Sequence, residues 1–134
     1  MDHDIIDLMH ECVVKLDAPA PGSIGTGFFV APGLILTCAH VVGNCNTKKH
    51  YNGNIKVRWK GHEEFATAEV KEWEPDLDIA LLKHSSVQTE KPPCILLGKV
   101  CKNGHKLVTF GYPRGFTNGA PADFTCTGYT GDVP

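Results

Sequence analysis

Apolar and polar residues alternate along much of the chain with the period of a β-strand. The clearest case is residues 55–59, Ile-Lys-Val-Arg-Trp, where apolar and charged side chains alternate without interruption. Successive side chains of a strand point to opposite faces, so this pattern predicts a strand with one buried and one solvated face. Residues 65–73 are expected to form another strand, in which the small residues Ala66 and Ala68 suit the interior of a narrow barrel.

Further short runs of β-forming residues are separated by turn signals. Two of them, 27–30 and 34–38, flank a Pro32-Gly33 step, which is a hairpin signal between apolar runs. The remaining predicted strands are 13–16, 79–82 and 107–110, with a brief extended piece at 95–97 and one weak strand around 124–126. Only residues 2–12 have apolar positions at helical spacing, and they predict one short helix. The pattern therefore predicts an all-β fold, a small antiparallel barrel or sandwich of six or seven strands.

Composition and charge exclude several classes of function. The chain has 134 residues, of which 42% are hydrophobic and 21% charged, as expected for one ordinary globular domain. The net charge is −2 and no basic cluster exceeds Lys48-Lys49, so no nucleic-acid partner is expected. The acidic N-terminus has too short an apolar run for a signal peptide or membrane span, which predicts no membrane contact and a cytoplasmic location.

The cysteines give no sign of a metal centre. There are six of them, and no two have the C-x-x-C spacing of a structural zinc site. Without a secretion signal, free buried thiols are the expected state rather than disulfides. The sequence thus predicts no metal and no cofactor.

Two segments stand out as candidates for a functional site. The first contains Gly25-Thr-Gly-Phe28 and continues to Leu36-Thr-Cys-Ala-His40, and the second is Asp78-Ile-Ala-Leu-Leu82. Together they resemble the chymotrypsin-like (trypsin-like) serine peptidases, especially the compact bacterial high-temperature-requirement type. A third match, Gly111-Tyr-Pro113, is similar to the turn after the last strand of that family's first barrel. The resemblance covers residues 13–128.

The resemblance implies a role for two side chains. His40 is expected to be the general base and Asp78 the carboxylate that orients it, while Asp76 is interpreted as a solvated turn residue. His is suited to this task because its ordinary pKa lies near neutral pH. The six other histidines are expected to be structural or solvated. Cys38 is expected to be a small core residue and not a nucleophile.

The resemblance also implies an architecture. The chain is expected to contain the first Greek-key barrel of a trypsin-like double barrel, preceded by a short N-terminal helix. The predicted units are a leader helix over 1–12, the first barrel over 13–112, and an inter-barrel linker with the start of a truncated second barrel over 113–134. The implied partners are a peptide or protein substrate and the missing second barrel, either in cis or on a second chain.

The sequence departs from the family at the nucleophile. The family carries its serine in a G-x-S-G motif of the second barrel, whereas the serines here are Ser23, Ser85 and Ser86, and none has that context. We therefore expect the N-terminal half of a trypsin-like serine endopeptidase, inactive as a 134-residue chain. Two alternatives stay open at this stage, a catalytically inactive binding module derived from a protease, and half of a relative with a cysteine nucleophile.

Overall fold

A computed structural model of the chain describes residues 3–84, 106–112 and 118–125. Helix α1 (His3–Cys12) comes first. The strands follow in the order β1 (Val13–Asp17), β2 (Ile24–Ala31), β3 (Leu34–Thr37), β4 (Gly43–Asn44), β5 (Lys49–His50), β6 (Ile55–Trp59), β7 (His62–Glu74), β8 (Ile79–His84), β9 (Lys106–Gly111) and β10 (Ala120–Thr125). A short 3-10 turn, Ala39–Val41, separates β3 from β4. Among the described residues, no helix has the length and apolar character needed to cross a bilayer.

Six of the strands close into one antiparallel barrel, as the sequence predicted. Their order around the barrel is β1-β2-β3-β8-β7-β6, and β6 closes the ring by pairing with β1. The chain thus leaves β3 and returns on the far side of β1, which is a Greek-key connection. The hairpin between β2 and β3 turns at Gly33, whose φ of 78° is readily adopted only by glycine. The predicted extended piece at 95–97 lies outside the described residues.

Strict alternation along the strands builds the barrel interior. Ile55 and Val57 are fully buried while Lys56 between them is exposed, and Ala66 and Ala68 also face inward. Burying a side chain of the size of valine or isoleucine contributes roughly 1.5–3 kcal/mol. The other members of this core include Val14, Leu16, Phe29, Ile35, Val42, Trp59, Ala80 and Leu82.

A second, smaller apolar cluster lies between helix α1 and strand β9. Val13 packs there with Phe110 and Tyr112, and the helix contributes Ile6 and Met9. Strand β9 pairs with β10 in a separate two-stranded sheet and is not part of the barrel sheet. The domain boundaries at 12 and 112 stay a prediction.

Candidate active site

A tight turn after β3 presents His40 to solvent. The backbone N–H of Val41 donates to the Cys38 carbonyl at 3.1 Å, and that of Val42 donates to the Ala39 carbonyl at 3.2 Å. Ala39, Val41 and Val42 are buried in the barrel end. Because its neighbours on both sides point inward, His40 points outward, and its side chain is 62% exposed.

Strand β2 secures the start of this turn through Thr26. The Thr37 hydroxyl donates to the Thr26 carbonyl at 2.8 Å. The Thr26 hydroxyl in turn accepts the backbone N–H of Tyr112, also at 2.8 Å. The Gly-Thr-Gly, Thr-Cys-Ala-His and Gly-Tyr segments singled out in the sequence therefore meet at one residue.

Close packing holds the other side of the turn. The Trp73 indole N–H donates to the Ala39 carbonyl at 2.9 Å, and the Ser23 backbone N–H donates to the Val41 carbonyl at 2.8 Å. A Cβ at Gly25 would lie 2.7 Å from both Cγ atoms of Val41, so glycine is required there by proximity. The hydrogen bond from Trp73 was not predicted. Strand periodicity indicates that this side chain packs on the barrel, but it does not indicate which carbonyl accepts the indole N–H.

Asp78 lies in the turn that joins β7 to β8. The turn is closed by the Leu77 N–H donating to the Glu74 carbonyl and the Asp78 N–H donating to the Pro75 carbonyl, both at 3.3 Å. Asp78 itself has a φ of 53°, in the left-handed region that aspartate and asparagine tolerate better than most other residues. Asp78 directly precedes Ile79, the first residue of β8.

The structure brings His40 and Asp78 together, although they are 38 positions apart. Asp78 Oδ1 accepts the backbone N–H of His40 at 2.9 Å. Asp78 Oδ2 lies 2.8 Å from Nδ1 of the His40 ring. A carboxylate can only accept, so in the neutral imidazole Nδ1 carries the proton and Nε2 keeps its lone pair.

These hydrogen bonds stabilise the ionised carboxylate. The backbone N–H of His40, followed by its ring N–H, lowers the pKa of Asp78 below the ordinary value for aspartate. The Asp78 side chain is 46% exposed. The carboxylate is therefore partly accessible to solvent in this chain.

Asp76, the rival carboxylate, has a different partner. Its side chain is 82% exposed and accepts a hydrogen bond from Lys48 Nζ at 2.9 Å. The interaction with Asp76 raises the pKa of Lys48. The prediction of a solvated turn residue is confirmed, and exposed pairs of this kind contribute little to stability.

Cys38 is exposed, and the prediction that it packs in the core is wrong. Along β3, Ile35 and Thr37 are buried, so strand alternation turns the next side chain outward. This alternation along the strand was the signal in the sequence that could have predicted the exposure of Cys38. Partial desolvation and the nearby Asp78 carboxylate raise the pKa of the Cys38 thiol, which disfavours the nucleophilic thiolate. Of the other described cysteines, Cys12 is buried and Cys45 half-buried. All three are free thiols, but the prediction that the thiols are buried holds only for Cys12.

Other described histidines have structural environments. The His10 ring stacks on Phe110 with centroids 4.4 Å apart. His50 Nδ1 donates to the Tyr51 carbonyl at 3.0 Å, and His84 is buried inside the barrel. These three agree with the prediction, while His105 lies outside the described residues.

Comparison with known proteins identifies the family of this chain. The sequence model of the trypsin-like peptidase domain matches residues 25–131, which include both the His40 and the Asp78 segments. The chain belongs to the trypsin-like peptidase family. Among curated proteins, the serine proteases Rv3671c and MT3772 of two Mycobacterium tuberculosis strains are each 29% identical to this trypsin-like peptidase chain over 119 residues.

Solved structures of Rv3671c from M. tuberculosis have the same fold. The active form superposes with a TM-score of 0.67 at 26% identity, covering 90% of this chain and 49% of that one. An inactive serine-to-alanine mutant gives a TM-score of 0.67, covering 87% of this chain and 53% of that one. The match to the curated relatives covers 86% of this chain and 27% of their length. The chain thus corresponds to about a quarter of those trypsin-like peptidases.

Proposed function

We propose that this chain is the His- and Asp-bearing barrel of a trypsin-like serine endopeptidase. His40 is the general base and acid, and Asp78 orients it and stabilises its charged form. The observation that carries the proposal is the double hydrogen bond from His40 to one carboxylate, at 2.9 Å from the backbone and 2.8 Å from the ring. The names of the relatives, which are serine proteases, support the same class of reaction.

The tautomer of His40 determines the direction of proton transfer. With the Nδ1 proton held on Asp78, Nε2 accepts the proton of a serine hydroxyl as that oxygen attacks a peptide carbonyl. The imidazolium formed is stabilised by the adjacent carboxylate, and it then donates the proton to the leaving amine. Water repeats the sequence on the acyl-enzyme, with His40 again as base.

In this proposal, a second barrel supplies the nucleophile and the oxyanion hole, either in cis or on another chain. No G-x-S-G motif occurs in the sequence. Leu77 and Ile79, on either side of Asp78 along the chain, expose large apolar side chains, at 70% and 43%, that such a barrel would cover. The substrate class is peptide or protein, and the cytoplasmic location stays a prediction from the sequence.

The test begins with the reading frame beyond Pro134. We expect it to encode a G-x-S-G motif and the completed protein to be labelled by a fluorophosphonate probe. Labelling and peptide hydrolysis should be lost in His40→Ala, since removing the base costs roughly six orders of magnitude in turnover. The 134-residue chain alone should not be labelled.

Other outcomes contradict the proposal in distinct ways. A G-x-C-G motif would indicate a relative with a cysteine nucleophile. A stop codon directly after Pro134, together with a stable monodisperse chain, would indicate a non-catalytic binding module. Full labelling of the His40→Ala protein would remove this residue from its proposed role.

A further inference from the structure

We propose that Cys38, His40 and Asp78 form a binding site for a thiophilic divalent cation such as Zn²⁺. We also expect a bound ion to inhibit catalysis, and this part of the proposal rests on the function proposed above. Each residue offers one ligand atom, and these atoms all lie within 4.8 Å of one another. Among the described residues, Cys38, His40 and Asp78 are the one set of three or more His, Cys, Asp or Glu side chains that lie close enough together to hold a metal ion.

The distances suit a small adjustment into a metal site. Zinc bonds of about 2.3 Å to sulfur and 2.0–2.2 Å to nitrogen and oxygen place neighbouring ligands of a tetrahedral site roughly 3.4–3.7 Å apart. The separations between the three ligand atoms, now at most 4.8 Å, would need to change by up to about 1.4 Å to reach that spacing. Cys38 and His40 are exposed, so a rotation of their side chains displaces no core residue.

The donor set selects the class of ion. A thiolate, an imidazole and a carboxylate favour Zn²⁺ or its spectroscopic substitutes Co²⁺ and Cd²⁺ over Mg²⁺ and Ca²⁺, which take oxygen ligands. Three protein ligands leave a fourth position for water. The C-x-x-C criterion could not reveal this site, because its acidic ligand is 38 positions from its imidazole.

The proton balance explains how the ion would act on His40. The metal forms bonds to Cys38 Sγ, to Asp78 and to His40 Nδ1, displacing the proton that Nδ1 now donates to the carboxylate. In the neutral imidazole that proton moves to Nε2 through solvent, and the thiol releases its proton to solvent. Nε2 then carries hydrogen and has no lone pair to accept a proton from a hydroxyl. The bound ion would thus prevent His40 from acting as a base, while the Nε2 side of its ring stays exposed.

The test titrates the reduced, metal-free 134-residue chain with Co²⁺ and follows the thiolate-to-cobalt absorption band. We expect a band that saturates at one equivalent and is displaced by Zn²⁺. The band should be lost in Cys38→Ser. The dissociation constant should rise by roughly 100-fold or more in Asp78→Asn, since even an outer partner of a metal ligand is worth 10–100-fold. The matched control is Cys45→Ser, which alters a half-buried thiol and should retain the band.

The outcomes separate this proposal from the previous one. The cation site is overturned if Cys38→Ser keeps the full band, if Cys45→Ser loses it, or if no band forms. None of these readouts requires protease activity, so a reading frame without a nucleophile would contradict a second barrel in cis and leave the binding result standing. If the chain binds Zn²⁺ but the completed enzyme turns over equally fast with the site saturated, the inhibitory role is wrong.

Discussion

Two aspartates in the same turn have different partners, and this difference is testable residue by residue. Asp78 accepts two hydrogen bonds from His40, whereas Asp76 pairs with Lys48 in solvent. We expect Asp78→Asn to lower kcat of the completed enzyme by about 10⁴-fold, because an amide favours the wrong imidazole tautomer. Asp76→Asn is the matched control and should change kcat by less than about threefold. Similar losses in both variants would show that the turn as a whole, rather than one carboxylate, supports activity.

The hydrogen bonds to Asp78 also predict how stability depends on pH. Its pKa is lower in the folded chain than the ordinary aspartate value of about 3.9. The carboxylate therefore stabilises the fold fully above that value, and the contribution is lost as pH falls through the lower folded pKa. Chemical unfolding of the wild type and Asp78→Asn from pH 7 to pH 2 should show a stability gap that narrows below about pH 4. A gap that widened on acidification would contradict this assignment.

At the scale of elements, the packing of β2 against the turn after β3 determines where His40 lies. Gly25→Ala would place a Cβ 2.7 Å from the Val41 Cγ atoms. We expect it to lower the free energy of unfolding by about 1–3 kcal/mol, as overpacking does. The cost should fall by about 1 kcal/mol in a Val41→Ala background, where the clashing methyl groups are gone.

Denaturant unfolding of the two single variants and the double variant measures this coupling. Additive effects would mean that the turn moves aside to accommodate the new methyl group. In that event Gly25 would be required by something other than its proximity to Val41.

Strand periodicity was sufficient to predict most strands of the barrel, but it could not predict the contacts between the turns. Alternation predicted which side chains of 55–59 are buried, and the Pro32-Gly33 step predicted the first hairpin. The pairing of His40 with Asp78 was predicted through the family resemblance. The hydrogen bond from the Trp73 indole to the Ala39 carbonyl and the Lys48–Asp76 pair were missed, because each joins groups from turns or strands that only the closed barrel brings together.

At the scale of the whole molecule, the face around Asp78 should make the isolated chain associate. Leu77 and Ile79 are exposed there, and exposed apolar patches favour association or dye binding. We expect Leu77→Ser combined with Ile79→Ser to reduce self-association in size-exclusion chromatography. The control pair is Ile5→Ser with Leu8→Ser, which removes the exposed apolar residues of helix α1. If the helix pair has the larger effect, the associating surface lies on α1 instead.

The positive φ of Asp78 limits how a descendant of this barrel could lose its chemistry. Asparagine and glycine adopt φ near 53° at little energetic cost, whereas a β-branched residue there would be strained. Under the proposed function, a gene copy freed from selection for proteolysis is therefore expected to drift first to Asn or Gly at position 78. Such pseudoenzymes would preserve the bend of the chain while discarding its carboxylate.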